Sequence, residues 1–244
     1  MLILLLLTLL CLAFLLAYII YLPPRWLISY FQHRHPDVLF TFPLPPTQKT
    51  YALTIDDAPS AHTPALLSLL AHHNATATFF IIGSQISSVP NGRQILKDIL
   101  SQGHEVGNHA VHDEPAISLP LPELSAQISE LDAQLPKNSR GTKWFRPGSG
   151  FFSREMVKVV GELGYRTVLG NVYAHDAQIG WAGWNAWVIG RRVRRGGDVV
   201  IVHDRRSWSG RQLEGVLKGL GEKGWRGVSL GEMEGLVEEG KKGG

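Results

Sequence analysis

From residue 50 almost to the C-terminus, short apolar strands alternate with amphipathic helices, and this order restricts the fold more than any other feature. "TYALTI" reads as a strand, "TPALLSLLAHH" as a helix with Thr63 as N-cap and Pro64 at its first position, and "ATATFFII" as a β-branched and aromatic strand. "GRQILKDILSQG" predicts a helix closed by Gly103, and "HEVGNH" a short strand. "PELSAQISELDAQL" puts Leu124, Ile128, Leu131 and Leu135 at helical spacing, "TKWFRP" is extended, and "SREMVKVVGELG" is a helix capped by Ser153 and stopped by Gly164. "YRTVLG" and "GDVVIVH" are strands on either side of a helical stretch near 184–194, and "RQLEGVLKGLGEKG" followed by "WRGVSL" is the last helix–strand pair. Such an order predicts an α/β fold with a parallel sheet, open or closed into a barrel, whose chemistry sits just past the C-terminal ends of the strands. Asp56, Asp57, His109, Arg146 and His203 all fall there. No internal repeat is present.

The chain preceding that alternation is different in kind. Residues 2–22 carry no charge, and about 20 apolar residues suffice to cross a bilayer as a helix. The run is too long for a signal-peptide core and no small-x-small cleavage site follows it. Residues 1–22 therefore read as one retained transmembrane helix in a single-pass membrane protein. Arg25 and Arg34 follow the run, which by the positive-inside rule favours a cytoplasmic C-terminal side. Two arginines do not outweigh a lumenal or extracellular catalytic domain, so the orientation stays open. Residues 23–49 hold Pro23, Pro24, Pro36, Pro43, Pro45 and Pro46, a density that argues against regular helix and for a stiff linker. Residues 50–240 suit one domain with a sizeable core. A net charge of +3 is too small to point to nucleic acid, and "RRVRR" at 191–195 reads as the solvated end of a helix. Cys11, the only cysteine, lies in the anchor, so the domain has no disulfide, cysteine nucleophile or thiolate ligand.

"NHAVHDE" places His109 and His112 three residues apart with Asp113 at the fourth position. Imidazole and carboxylate are suitable zinc ligands, although such spacing also occurs in surface or core histidines. With Asp57 as a further ligand, the adjacent Asp56 lies in the ion's field, stays ionised and can take a proton from water. The cation then offsets the repulsion between neighbouring carboxylates; taken alone, "DDAPS" is also good turn composition. Arg146 in "KWFRPGSG" can hold Asp56 through a bidentate contact, and backbone N–H groups around Ser149 can face a developing oxyanion, or the segment is a plain surface loop. His203, delivered by "GDVVIVHD", is placed for general-acid work with Asp176 adjusting its pKa, or is a satisfied histidine at a strand end.

Five stretches in order, "TIDDAPS", "GNHAVH", "FRPGSG", "VYAHDAQ" and "VIVHD", together resemble the polysaccharide deacetylase family (NodB-like, carbohydrate esterase family four) over residues 50–235. The resemblance implies a distorted (β/α) barrel and a metal-dependent hydrolase that removes acetyl groups from N-acetylglucosamine polymers or oligomers such as chitin or peptidoglycan. It implies Asp56 as catalytic base, Asp57 and His109 as ligands of a divalent metal such as zinc, and Arg146 as the residue orienting the base. It implies the Ser149 amide as oxyanion donor, His203 as the acid that protonates the leaving amine, and Asp176 as its tuning partner. The family spaces its ligand histidines four apart; here His112 is favoured over Asp113, because a loop shortened by one residue would keep the chemistry. Ile55, Ala58, the "RPGSG" turn with Ser149 in place of an aromatic residue, and the late Trp181 and Trp184 also depart from the pattern. The departures leave two alternatives: a membrane-tethered glycan-binding protein that has lost catalysis, and a deacylase of a non-sugar amide.

Overall fold

The computed structural model describes residues 1–138 and 141–242. The alternation becomes a curled, open (β/α) half-barrel, a distorted barrel with every named strand parallel to its neighbours. In chain order the strands are β1 (Val38–Leu39), β2 (Thr50–Ala58), β3 (Thr78–Ile81), β4 (Glu105–Asn108), β5 (Lys143–Phe145), β6 (Tyr165–Val168), β7 (Val172–Tyr173), β8 (Val199–His203) and β9 (Arg226–Val228). Across the sheet the order is β1-β6-β5-β4-β3-β2-β8-β7, with β9 paired to the first part of β2. The helices are α1 (Leu2–Tyr21), α2 (Arg25–Arg34), α3 (Thr63–His72), α4 (Gly83–Ser88), α5 (Gly92–Ser101), α6 (Leu121–Asp132), α7 (Arg154–Glu162), α8 (Ala182–Arg192), α9 (Ser209–Gly221) and α10 (Leu230–Lys242).

All nine residues of β2 are buried, as expected of a strand covered on both faces of a parallel sheet. On one face Leu53, Ile55, Phe79, Ile81, Val200 and Val202 pack against the helices, including Leu66 and Leu70 of α3 and Leu213 and Leu217 of α9. On the other, Ala52, Phe80, Trp144, Val168 and Val199 meet Leu230 and Met233 of α10. Each fully buried large side chain contributes about 1.5–3 kcal/mol, so these two layers fix the strand ends from which the site is built. Ser153 caps α7 as the sequence predicts, its Oγ accepting from Met156 N at 3.1 Å.

Three expectations are corrected. The first is the helix-free linker: α2 lies inside residues 23–49, and β1 pairs with β6. The prolines flank the helix instead of interrupting it. Pro24 is its N-cap with φ −67°, and Pro36 lies just beyond its end, so every residue that must donate within α2 keeps its N–H. The segment is held by burial of a charge. Arg25 Nη1 and Nη2 donate to the two carboxylate oxygens of the buried Asp198, at 3.0 and 2.8 Å, and Gln32 bonds Val38 O, Phe40 N and Thr41 N. Second, Thr63 begins α3 instead of capping it; its hydroxyl accepts from Ser60 N and donates to Asp204. Third, the chain continues past "WRGVSL" into α10, which closes the barrel interior. Helix α1 is apolar over Ile3–Tyr21 and unburied, long enough to cross a membrane by length and composition.

Candidate active site

In an undistorted strand, adjacent side chains point to opposite faces. β2 escapes that rule at its end. Its pairing with β3 shifts register between Ile55 and Ala58, and Asp57 takes a left-handed φ of +67°. Asp tolerates this conformation better than most residues. The twist lets two successive carboxylates, each 4% exposed, join one side-chain cluster, Asp56 with Arg146 and His203 and Asp57 with His109 and Arg206.

Asp56 sits opposite His203 in the β2–β8 register. Its Oδ1 accepts from Arg146 Nη1 at 2.6 Å, while its Oδ2 faces His203 Nε2 at 3.9 Å. Arg146 comes from the end of β5. Its Nη1 also donates to Thr54 Oγ1 at 2.7 Å, and its guanidinium lies 4.2 Å from the Phe80 ring centre. Burial lowers the Arg146 pKa and the Asp56 carboxylate works against that, so the two ions hold each other in an otherwise apolar setting.

His203 is bound from behind. Its Nδ1 donates to Asp176 Oδ1 at 2.9 Å and its backbone N to Asp176 Oδ2 at 2.8 Å. Gln212 Nε2 donates to the same Oδ2 at 2.7 Å, and Trp208 Nε1 to the Asp176 carbonyl at 3.0 Å. Burial alone would lower the imidazole pKa; Asp176 chiefly, then Asp56 and Asp57, outweigh it and raise the value to about 9. The same contacts hold Asp176 below its ordinary value against the opposing effect of its own burial. At neutral pH His203 therefore carries a proton on Nε2, aimed at Asp56.

On the other side of the acid pair, His109 Nδ1 donates to the Arg146 carbonyl at 2.6 Å. That fixes the tautomer and leaves the Nε2 lone pair facing Asp57 Oδ1 at 3.7 Å, too far for a hydrogen bond. Two electron-pair donors across such a gap suit a shared cation with bonds of about 2.0–2.2 Å. The donor pair fits a metal; a third ligand does not join it. Among the described residues no group of three His, Cys, Asp or Glu side chains gathers to hold an ion. His112 is exposed, its backbone N bonded to Gln127 Oε1 at 3.2 Å. Asp113 is exposed and accepts from Arg205 Nη1 at 2.9 Å. Ser149 lies in the exposed turn after β5 with φ +65°. The preceding Gly148 is required there, since a Cβ would stand 2.1 Å from the Glu114 carbonyl oxygen.

Sequence reasoning missed three groups. Arg206 Nη2 donates to Asp57 Oδ2 at 3.1 Å, so the carboxylate already has a cationic partner on the oxygen other than the one facing His109. Its neighbour Arg205 takes Asp113. Both follow His203 and Asp204 in "VIVHDRR", which is the available signal. Asp204 accepts from Ser60 and Thr63 hydroxyls and its N donates to the Asp56 carbonyl at 2.8 Å, joining the loop after β8 to the start of α3. Gln212, one helix away, is legible only in three dimensions.

Comparison with known proteins bears on the family and the fold. Residues 44–168 match the model of the polysaccharide deacetylase family. A peptidoglycan-N-acetylglucosamine deacetylase of Bacillus cereus is 31% identical over 205 residues, covering 81% of this chain and 94% of that protein. A chitin deacetylase of Pestalotiopsis sp is 29% identical over 161 residues, covering 64% of this chain and 53% of that protein. The structure of the peptidoglycan deacetylase PdaC from Bacillus subtilis superposes with a TM-score of 0.70 at 25% identity, covering 82% of this chain and 96% of that one. An ordered set of strand-end residues, a parallel half-barrel and a matching family model together lead to one assignment: the chain belongs to the polysaccharide deacetylase family.

Proposed function

We propose that this protein is a metal-dependent deacetylase that hydrolyses the N-acetyl amide of an N-acetylglucosamine-containing glycan of the peptidoglycan or chitin kind, tethered to a membrane by α1. The observation that carries the reading is the opposed pair in that cluster: the free Oδ2 of Asp56 and the protonated Nε2 of His203, 3.9 Å apart. A base and an acid so placed suit addition of water to a carbonyl and departure of an amine. Asp57 and His109 would hold a divalent cation, zinc by donor type, and His112, exposed in the loop that follows His109, would have to turn inward to serve as the third ligand. When bound, the ion supplies Lewis-acid polarisation of the acyl oxygen and acidifies water.

Asp56, held by Arg146 through Oδ1, takes a proton from water at Oδ2 as the oxygen adds to the acyl carbon. The Ser149 amide donates to the developing oxyanion. His203 then delivers its Nε2 proton to the nitrogen as the C–N bond breaks, releasing acetate and a free amine, while Asp176 keeps the imidazole oriented. Acetate release from acetylated chitooligosaccharide and peptidoglycan fragments, with and without chelator, tests the reading. Turnover that needs added metal is expected, with Asp56→Asn binding metal but inactive and Asp57→Asn losing metal. Equal metal loss in both variants would refute the division of roles.

A second reading, a tethered glycan-binding protein without turnover, is favoured by one contact: the Arg206 guanidinium on Asp57. Full metal occupancy with no acetate released from any acetylated sugar would select it.

A further inference from the structure

Beyond α1 in the chain, the exposed large hydrophobic side chains of the described residues are Trp26, Tyr30, Ile117, Phe151, Trp181, Trp184 and Trp187. Five of these lie on α2 or on α8 and its N-cap. In α8 the inward face carries Asn185, Val188 and Ile189. Its outward face carries Trp184 and Trp187, 42% and 54% exposed, followed one turn on by Arg191. A solvated helix face ordinarily bears charge there, so this helix is apolar on both sides. In α2, Trp26 and Tyr30 are exposed and His33 and Arg34 occupy the last turn. Both helices thus run from exposed aromatic rings to basic residues, and α8 continues into Arg194 and Arg195.

Both helices are also tied to the end of α1. Arg25 Nη2 donates to the Arg192 carbonyl at 2.9 Å, and Arg192 Nη2 to the Pro23 carbonyl at 2.8 Å. The Tyr21 ring lies 4.6 Å from that of His175, whose Nε2 donates to the Tyr21 carbonyl at 2.9 Å. The aromatic patch is therefore continuous with the place where the apolar helix leaves the domain.

We propose that α2 and α8 seat the domain on the bilayer that α1 enters, with their Trp and Tyr rings at headgroup depth and Arg191, Arg194 and Arg195 against anionic lipid phosphates. The proposal rests on α1 being a membrane anchor. A stacking platform for sugar would also use tryptophans, but a pyranose needs open ring faces. Here the rings stack on one another, Trp181 on Trp184 at 6.1 Å and Trp184 on Trp187 at 5.0 Å, with Arg191 5.7 Å over Trp187. Rings stacked in this way leave fewer open faces for a sugar, and amphipathic indoles suit the boundary between headgroups and acyl chains. The seat also borders the candidate active site: Gly180, next to Trp181, lies against the Trp208 ring, whose indole N–H donates to the Asp176 carbonyl.

The test uses the full chain in vesicles of equal parts phosphatidylcholine and phosphatidylglycerol whose acyl chains are brominated near the glycerol. Flotation reads anchoring, and tryptophan fluorescence reads depth. Strong quenching is expected in the unaltered protein and loss of most of it in Trp181→Ser/Trp184→Ser/Trp187→Ser. In Arg191→Gln/Arg195→Gln the quenching should fall to the level seen with phosphatidylcholine alone. Hydrogen exchange within α8 of the unaltered protein, slower in vesicles than in detergent, provides a readout that needs no substitution. A chain that does not float defeats the anchor and the seat together. A chain that floats with unchanged quenching in the triple variant, or with α8 exchange equal in vesicles and detergent, defeats the seat alone. Emission that responds to soluble chitooligosaccharide but not to lipid would assign the rings to glycan and also overturn the proposal. Acetate release is not the readout, so the deacetylase assignment is tested separately.

Discussion

Replacing Asp176 by Asn removes the charge that holds His203 protonated while keeping the side-chain shape. The imidazole stands at about 9 against an ordinary 6.5, which corresponds to ~3 kcal/mol of preference for imidazolium in the fold. Without the Asp176 carboxylate, burial is opposed only by the weaker contributions of Asp56 and Asp57, and the His203 titration falls. The stability consequence has a definite sign. A histidine whose folded pKa exceeds its unfolded value contributes fully below the unfolded pKa, and the contribution disappears as pH rises through the folded one. The gap between unaltered protein and Asp176→Asn should therefore be larger near pH 6 than near pH 10, by up to ~3 kcal/mol. The lowered pKa of Asp176 acts only in acid and does not enter that window. A remainder of about 1–3 kcal/mol persists at both pH values, because the Asn amide faces donors from His203 and Gln212 that lose an acceptor. The assay is an NMR titration of the His203 ring in metal-free protein, with chemical denaturation at the two pH values. His203 titrating at the same pH in both proteins would refute the account, as would a stability gap independent of pH.

Three other outcomes follow from local contacts. Arg206→Ala frees Asp57 Oδ2 from its 3.1 Å partner and should tighten divalent-cation binding by calorimetry, whereas Arg205→Ala, which releases only the exposed Asp113, should leave it unchanged; equal effects would show that the Arg206 contact does not compete with metal. Gly148→Ala places a methyl 2.1 Å from the Glu114 carbonyl and should cost about 1–3 kcal/mol in denaturant titration, and no loss would mean the turn bearing Ser149 relaxes freely. Ser153→Ala removes the cap of α7, about 1 kcal/mol, and should lower the melting temperature by about 2–4 °C, a fall that Ser153→Asp would not show.

The alternation of strand and helix was legible because each period is local. β2, β3, β4 and β8 and the capped α7 follow from side-chain spacing and a single hydroxyl. Residues 23–49 were misread because proline density is a regional signal, whereas helix formation depends on where each ring falls. Arg25–His35 contains none, and the partner that orders the segment, Asp198, lies far along the chain.

At the site, the sequence by itself determined which groups stand at which strand ends: His109 and Arg146 just past β4 and β5, and the acid pair and His203 in the last residues of β2 and β8, which run slightly further than spacing predicts. Those positions follow from strand length and the parallel order. Tertiary structure alone decided what each one touches. The register shift and left-handed Asp57 that bring adjacent carboxylates into one cluster depend on β3 beside β2. The partnering of Asp176 with Gln212 of α9 and the approach of Arg206 to Asp57 are set by packing between other elements. Spacing along a chain fixes direction within one element; distances between elements are set by how the core packs them.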